Sequence, residues 1–179
     1  VAELDNGGDV ADSLALGAVR GARGNSGMVL SQVLRGVAES TVDSVIDGDV
    51  FVRSLKQAVE LVDRAIAEPV EGTVITVLKA ASESAEDAAA QSGATLHSIV
   101  SAAIAAAETA LERTPSQLPA LREAGVVDAG GAGLVILLES LLAEIEGSTG
   151  HTGLPEAEPT ISTPGRPAKS LKPPWVQER

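Results

Sequence analysis

Apolar residues recur at spacings of three and four through successive stretches of this chain, and almost none of them is aromatic. Met28, Val29, Val33, Leu34 and Val37 form one such stripe. Val52, Leu55, Val59, Val62 and Ile66 form a second, and Leu96, Ile99, Val100, Ala103, Ile104, Ala107 and Leu111 a third. This period puts each set on one face of a helix. The chain is 44% hydrophobic yet holds one Phe, one Trp and no Tyr, so its apolar mass is Ala, Val, Leu and Ile. Ala and Leu favour helix, and Ala lets neighbouring helices approach closely. A β-sandwich or a base-stacking surface would use more aromatic residues. The expected class is all-α, with at least five helices and no sheet.

Boundaries follow from caps and breakers. A first helix is expected over Val10–Val19 with Asp9 as its N-cap, then a Gly-broken turn over Arg20–Asn25 and a second helix over Met28–Ala38. Asp47 or Asp49 caps the third, which ends before Pro69. Thr73 opens the fourth and Thr95 the fifth. Thr114-Pro115 reads as a cap followed by proline at the first helical position, giving a short helix to Arg122. The last helix, from about Gly131 to Glu146, is apolar around much of its circumference and is expected to be the most buried element. Residues 1–147 form one domain on this reading. Residues 148–179 carry six of the nine prolines and few apolar residues, the composition of a linker or tail.

The formal net charge is -12, which repels phosphate backbones and argues against nucleic acid as a partner. A small phosphate ligand remains compatible, because local N–H groups can hold an anion in an acidic protein. The absence of cysteine excludes zinc–thiolate sites, disulfides and cysteine catalysis. The acidic start, Val1–Asp12, does not resemble a signal peptide, and no stretch is apolar enough to span a bilayer. A cytoplasmic protein is expected.

Three Gly-rich segments stand at helix starts. They are Gly21-Ala22-Arg23-Gly24-Asn25-Ser26-Gly27, Glu68-Pro69-Val70-Glu71-Gly72-Thr73 and Asp128-Ala129-Gly130-Gly131-Ala132-Gly133. Each can be an ordinary turn with a helix cap, or an anion or sugar contact at a positive helix end. The first matches neither the dinucleotide Gly-x-Gly-x-x-Gly pattern nor the P-loop.

Together the segments carry a resemblance. Ala22 to Gly36, Pro69 to Val77 and Leu121 to Leu134 are similar, in sequence and in order, to the L-type domain of bacterial fatty acid kinase and the dihydroxyacetone kinase L-subunit (DhaL) family. The similarity covers nearly all of residues 1–147. It implies an antiparallel helical barrel with ATP bound at one end. Asn25, Ser26 and Gly27 would meet the phosphates, Gly72 and Thr73 would lie by the nucleotide, and Asp128, Ala129 and Gly130 would flank its sugar or base. It further implies magnesium as cofactor and a fatty-acid-binding carrier protein as partner, the product being an acyl phosphate. A dihydroxyacetone-type kinase subunit and a non-catalytic helical interaction module are the alternatives.

The family's magnesium loop, Asp-Gly-Asp-Thr-Gly-Thr-Asn, precedes the Arg-Gly-Asn-Ser-Gly segment, and this chain does not contain it. Its aspartates are expected upstream, with the first helix or helices of the barrel. The chain itself then offers no catalytic or metal-binding residue and is expected to be inactive alone. An apolar face left open would favour a homo-oligomer. Asp5-Asn6-Gly7-Gly8-Asp9 and Asp47-Gly48-Asp49 superficially resemble the loop and read as helix-start segments.

Overall fold

The computed structural model describes residues 7–40, 46–66 and 68–148. Among them the secondary structure is entirely helical: α1 (Gly7–Gly21), α2 (Gly24–Ser40), α3 (Gly48–Ala65), α4 (Val74–Ala89), α5 (Leu96–Gln117), α6 (Pro119–Ala124) and α7 (Ala129–Ser148). Among the described residues each helix from α1 to α5 contacts the one that follows it, whereas α7 packs on α5 and not on α6. α4 lies at the centre, touching α2, α3, α5 and α7, while α7 returns to meet α2. Among the described residues α1 packs on α2 alone.

Small residues set the helix spacing. A Cβ on Gly36 would sit 2.5 Å from the Ser54 carbonyl oxygen and 2.9 Å from the Ala58 nitrogen, so α2 lies against the backbone of α3. Ala58, Ala81, Ala85, Ala103 and Ala107 are fully buried among Val62, Val77, Leu78, Val100 and Leu134. Phe51 joins this core at the start of α3. Buried hydroxyls are absorbed locally: Ser31 Oγ donates to Met28 O and Ser54 Oγ to Val50 O.

Several helix starts lie where their caps place them. Asp47 accepts from the Val50 N–H at 2.8 Å. Thr73 is the N-cap of α4, and Thr95 forms a capping box with Ser98 at the start of α5. Asp47-Gly48-Asp49 is thus the start of a helix. Asp9 lies inside α1 and does not cap it, because the helix already begins at Gly7.

Three further expectations are corrected. α2 begins at Gly24 instead of Met28, so Asn25, Ser26 and Gly27 occupy its first turn. Gly24, at φ 65°, makes the sharp turn, and the glycine that follows at 27 is accommodated within the helix.

α5 does not stop at Thr114-Pro115; it continues to Gln117, and the proline opening the short helix is Pro119. Proline removes the N–H that would bond the carbonyl four residues back, here that of Leu111. Thr114 Oγ1 donates to that carbonyl at 2.7 Å and fills the vacancy.

α7 is not the most buried element: Ile136 is 55% and Leu137 38% exposed. Its packing face carries Ala132, Leu134, Val135 and Leu138, and no described helix covers the other. α1 likewise exposes Val10, Leu14, Leu16 and Val19. The segment 149–179 and residues 1–6 lie outside the described residues.

Two glycines give opposite expectations. Gly36→Ala should destabilise the protein by about 1–3 kcal/mol, because its methyl meets backbone that cannot rotate away. Gly17→Ala, with nothing within 4 Å of its Cβ, should stabilise by about 0.4–1 kcal/mol through lost unfolded-state freedom. Urea denaturation of both variants checks the two signs.

Candidate functional site

Three helix N-termini gather at one end of the bundle. The first turn of α2 brings Asn25 and Ser26, the start of α4 brings Thr73, and the start of α7 brings Asp128. All four line one cavity of about 270 Å³, with Val29, Ile66, Glu68, Val70, Val74 and Ile75. Pockets for small molecules commonly span about 300–1,000 Å³, so this one is at the small end. A wider, more open groove of about 650 Å³ runs between α4 and α5, lined mainly by alanines with Glu83, Asp87 and Arg113. None of the residues singled out from the sequence reaches it.

The three starts differ in how their donors are used. The first four N–H groups of a helix have no acceptor within it. At α4, Thr73 Oγ1 accepts from the Ile75 N–H at 3.4 Å and donates to Val70 O at 2.7 Å. The Gly72 N–H donates to Thr76 Oγ1, and the Thr76 hydroxyl donates to Glu71. At α7, Asp128 Oδ2 accepts from the Gly131 N–H at 2.7 Å, the geometry of an N-cap. α2 instead starts on glycine at positive φ. Its opening N–H groups, those of Gly24, Asn25, Ser26 and Gly27, belong to a turn with no Ser, Thr, Asn or Asp at the position before it.

The first and third segments touch directly. A Cβ on Gly130 would lie 2.7 Å from Ser26 Oγ and 3.0 Å from Ser26 Cβ, so glycine at 130 is what lets α7 approach the α2 start. Gly131 fits likewise against Val77 and Leu111. Gly27 is less crowded, its nearest neighbour being Ala22 at 3.6 Å. Gly72 faces away from the cavity: at φ 78° it packs against Thr114 O and Gln117 of α5. Ala129 is exposed as the first residue of α7.

Of the residues picked out from the sequence, Asn25, Ser26, Thr73 and Asp128 therefore share the cavity, and Gly130 packs against Ser26. Gly27 follows in the α2 turn without lining the cavity, and neither Gly72 nor Ala129 lines it. Glu68 and Val70, which also line the cavity, belong to the second Gly-rich segment, whereas Val29, Ile66, Val74 and Ile75 of its apolar wall were not singled out as site residues. Ile66 was legible only as a member of a core stripe, whereas Val29 also lies in the first stretch that carries the resemblance.

The cavity's charge is one-sided. Glu68 and Asp128 line it, and none of its described lining residues is basic. Arg23 turns back to the end of α1, donating to Ala22 O at 2.8 Å and Arg20 O at 3.3 Å. Among the described residues no cluster of three or more His, Cys, Asp or Glu could hold a metal ion. No described helix is long and apolar enough to cross a membrane.

A family model described as the DAK2 domain matches residues 2–143. Protein YloV of Bacillus subtilis is 38% identical over 148 residues, covering 82% of this chain and 27% of YloV. An uncharacterized protein of Staphylococcus saprophyticus is 38% identical over 143 residues, 79% of this chain and 26% of its own length. One from Staphylococcus aureus is 36% identical over 141 residues, 78% and 26% respectively. The chain thus spans about a quarter of the length of these curated relatives.

The Ser26–Gly130 contact is open to a direct test. Gly130→Ala should push the α2 start away from α7, costing about 1–3 kcal/mol and moving the Ser26 amide resonance. An unchanged Ser26 resonance in an otherwise native spectrum would contradict the contact.

Proposed function

The chain belongs to the DAK2 domain family, and on that premise we propose that it is the nucleotide-binding module of an ATP-dependent kinase. The observation that carries this reading is the meeting of three Gly-rich segments, far apart in sequence, around one cavity. In it, the N–H groups of Asn25, Ser26 and Gly27 hold phosphate oxygens, since a helix start offers both free donors and a positive dipole end. Val29, Ile66, Val70 and Ile75 give the base or sugar an apolar wall. The half-buried carboxylate of Asp128 has one oxygen engaged in its cap, and the other is assigned to a ribose hydroxyl. Gly130 serves by close approach and Thr73 by holding the α4 start in place. Gly72 and Ala129 shape the turns around the cavity.

The donor set suits the neutral part of this task and not the metal part. Magnesium prefers several converging oxygens, and no such cluster exists among the described residues. No step through a metal is therefore assigned to this chain. In the resembling kinases magnesium neutralises phosphate charge during transfer, and its aspartates are proposed to come from a separate Asp-Gly-Asp loop.

The acceptor proposed is a fatty acid carboxylate presented by a carrier protein, after the resemblance of Ala22–Gly36 and Leu121–Leu134 to fatty acid kinase. A domain at residues 1–147 followed by a Pro-rich tail, and a cytoplasmic setting, belong to the same proposal. The uncovered apolar residues of α1 and α7 favour a further protein surface against them, a second copy included.

Titrating ATP and magnesium into the isotopically labelled chain should move the amide resonances of Asn25–Gly27, Thr73 and Asp128–Gly130, even where affinity is weak. Gly27→Val should keep the fold and cost about 1.5–3 kcal/mol of binding, as for one charge-assisted hydrogen bond. A form of the protein carrying the aspartate loop should bind ATP–magnesium more tightly and transfer the phosphoryl group. Resonance changes confined to other surfaces, or unchanged affinity in Gly27→Val, would refute the assignment.

A further inference from the structure

Two of the three segments at the cavity rest on a single residue outside it. Thr114 is fully buried near the C-terminal end of α5. Its hydroxyl donates to Leu111 O at 2.7 Å, the carbonyl that Pro115 leaves without an N–H partner. The same oxygen accepts from the Asp128 N–H at 3.1 Å. Its carbonyl receives the Leu118 N–H at 3.0 Å, and lies 3.0 Å from where a Cβ on Gly72 would stand. One residue thus contacts the segment before α4 by its backbone and the segment before α7 by its side chain.

We propose that Thr114 is the positioning residue of the site, holding Asp128 and the Gly72 turn in register for a nucleotide. This rests on the nucleotide-binding reading above. The hydroxyl is suited to the role because it both donates and accepts a hydrogen bond. Its proton goes to Leu111 O and a lone pair to Asp128 N–H, so its rotation is fixed from both sides. Pro115 makes this orientation compulsory: with an ordinary residue there, Leu111 O would receive a backbone N–H, and the hydroxyl would be free to turn. Asp128 is then anchored at its own N–H while its Oδ2 caps α7, which leaves its other carboxylate oxygen with a defined direction. Thr114 touches no ligand in this scheme and acts through Asp128 and Gly72.

The test uses the whole chain, with ATP and magnesium as probe, read by amide resonance titration and hydrogen exchange. Thr114→Val should weaken nucleotide binding roughly tenfold, the scale of one lost hydrogen bond, and speed exchange at Asp128 and Gly131. Thr114→Ser should restore both. Phe51→Leu, at the far end of α3 from the cavity, serves as a control that lowers stability and should leave affinity unchanged. Should Thr114→Val fold poorly, Thr114→Val with Pro115→Ala supplies Leu111 O with a backbone donor. That double variant should recover stability without recovering affinity.

Wild-type affinity in Thr114→Val, or in the double variant, would overturn this inference and leave the nucleotide reading standing. An equal loss of affinity in Phe51→Leu at matched stability would also overturn it, by making the effect one of general stability. A wild-type chain that shows no nucleotide-dependent resonance changes at the three segments would overturn the nucleotide reading, and this inference with it.

Discussion

The close approach of helix backbones is the constraint on which the other features depend. A core made of Ala, Val and Leu has little bulk to hold helices apart, so contact comes from glycine and alanine meeting main chain. Gly36 against Ser54 and Ala58 fixes α2 on α3, and Gly131 against Val77 and Leu111 fixes α7 on α4 and α5. Gly130 against Ser26 then follows from the same packing. The three helix starts converge because the helices that carry them are held this tightly. The cavity is the space left between their ends.

Convergence alone would give three equivalent anion sites, and the hydrogen bonds show that it does not. Thr73 and Asp128 spend side-chain oxygens on their own helices, and Gly72 gives its N–H to Thr76. The α4 and α7 starts are thereby stiffened and partly neutralised as donors. α2 begins on Gly24, which has no side chain with which to do this. The starts therefore differ: α4 and α7 are capped by side chains, and the glycine-led start of α2 has no such cap at the position before it.

The helical class and most helix starts were legible in the sequence because they are local. Asp47, Thr73 and Thr95 cap within three residues of themselves, and the stripes of α3 and α5 report their own buried faces. Two of the departures lie in α2 and α7. The run from Gly21 to Gly27 reads as a breaker throughout, although only Gly24 adopts positive φ there. The burial of α7 depends on where its neighbours lie, which its own composition cannot report. Its stripe is wide enough for covering on all sides, yet Ile136 and Leu137 remain exposed. For the site, the Gly-rich segments were visible as candidates, but their meeting was not, and neither was the wall drawn from core stripes.

Thr114-Pro115 was misread for a reason that bears on the site. The pair has the chemistry of a helix start: a hydroxyl able to satisfy backbone and a residue without an N–H. In α5 the same chemistry is used in reverse, the hydroxyl satisfying the carbonyl that the proline strands. A helix can continue past proline when such a local donor is available, and here the continuation carries α5 to Gln117, beside Gly72. Had the helix ended at Thr114, the Gly72 turn would lose its packing surface. The departure from the sequence expectation is thus the arrangement that brings the second and third segments onto a common support, while Ser26 against Gly130 joins the first to the third. The cavity is held by two links, one through Thr114 behind it, by a hydrogen bond to Asp128 and close approach to Gly72, and one of van der Waals contact between Ser26 and Gly130.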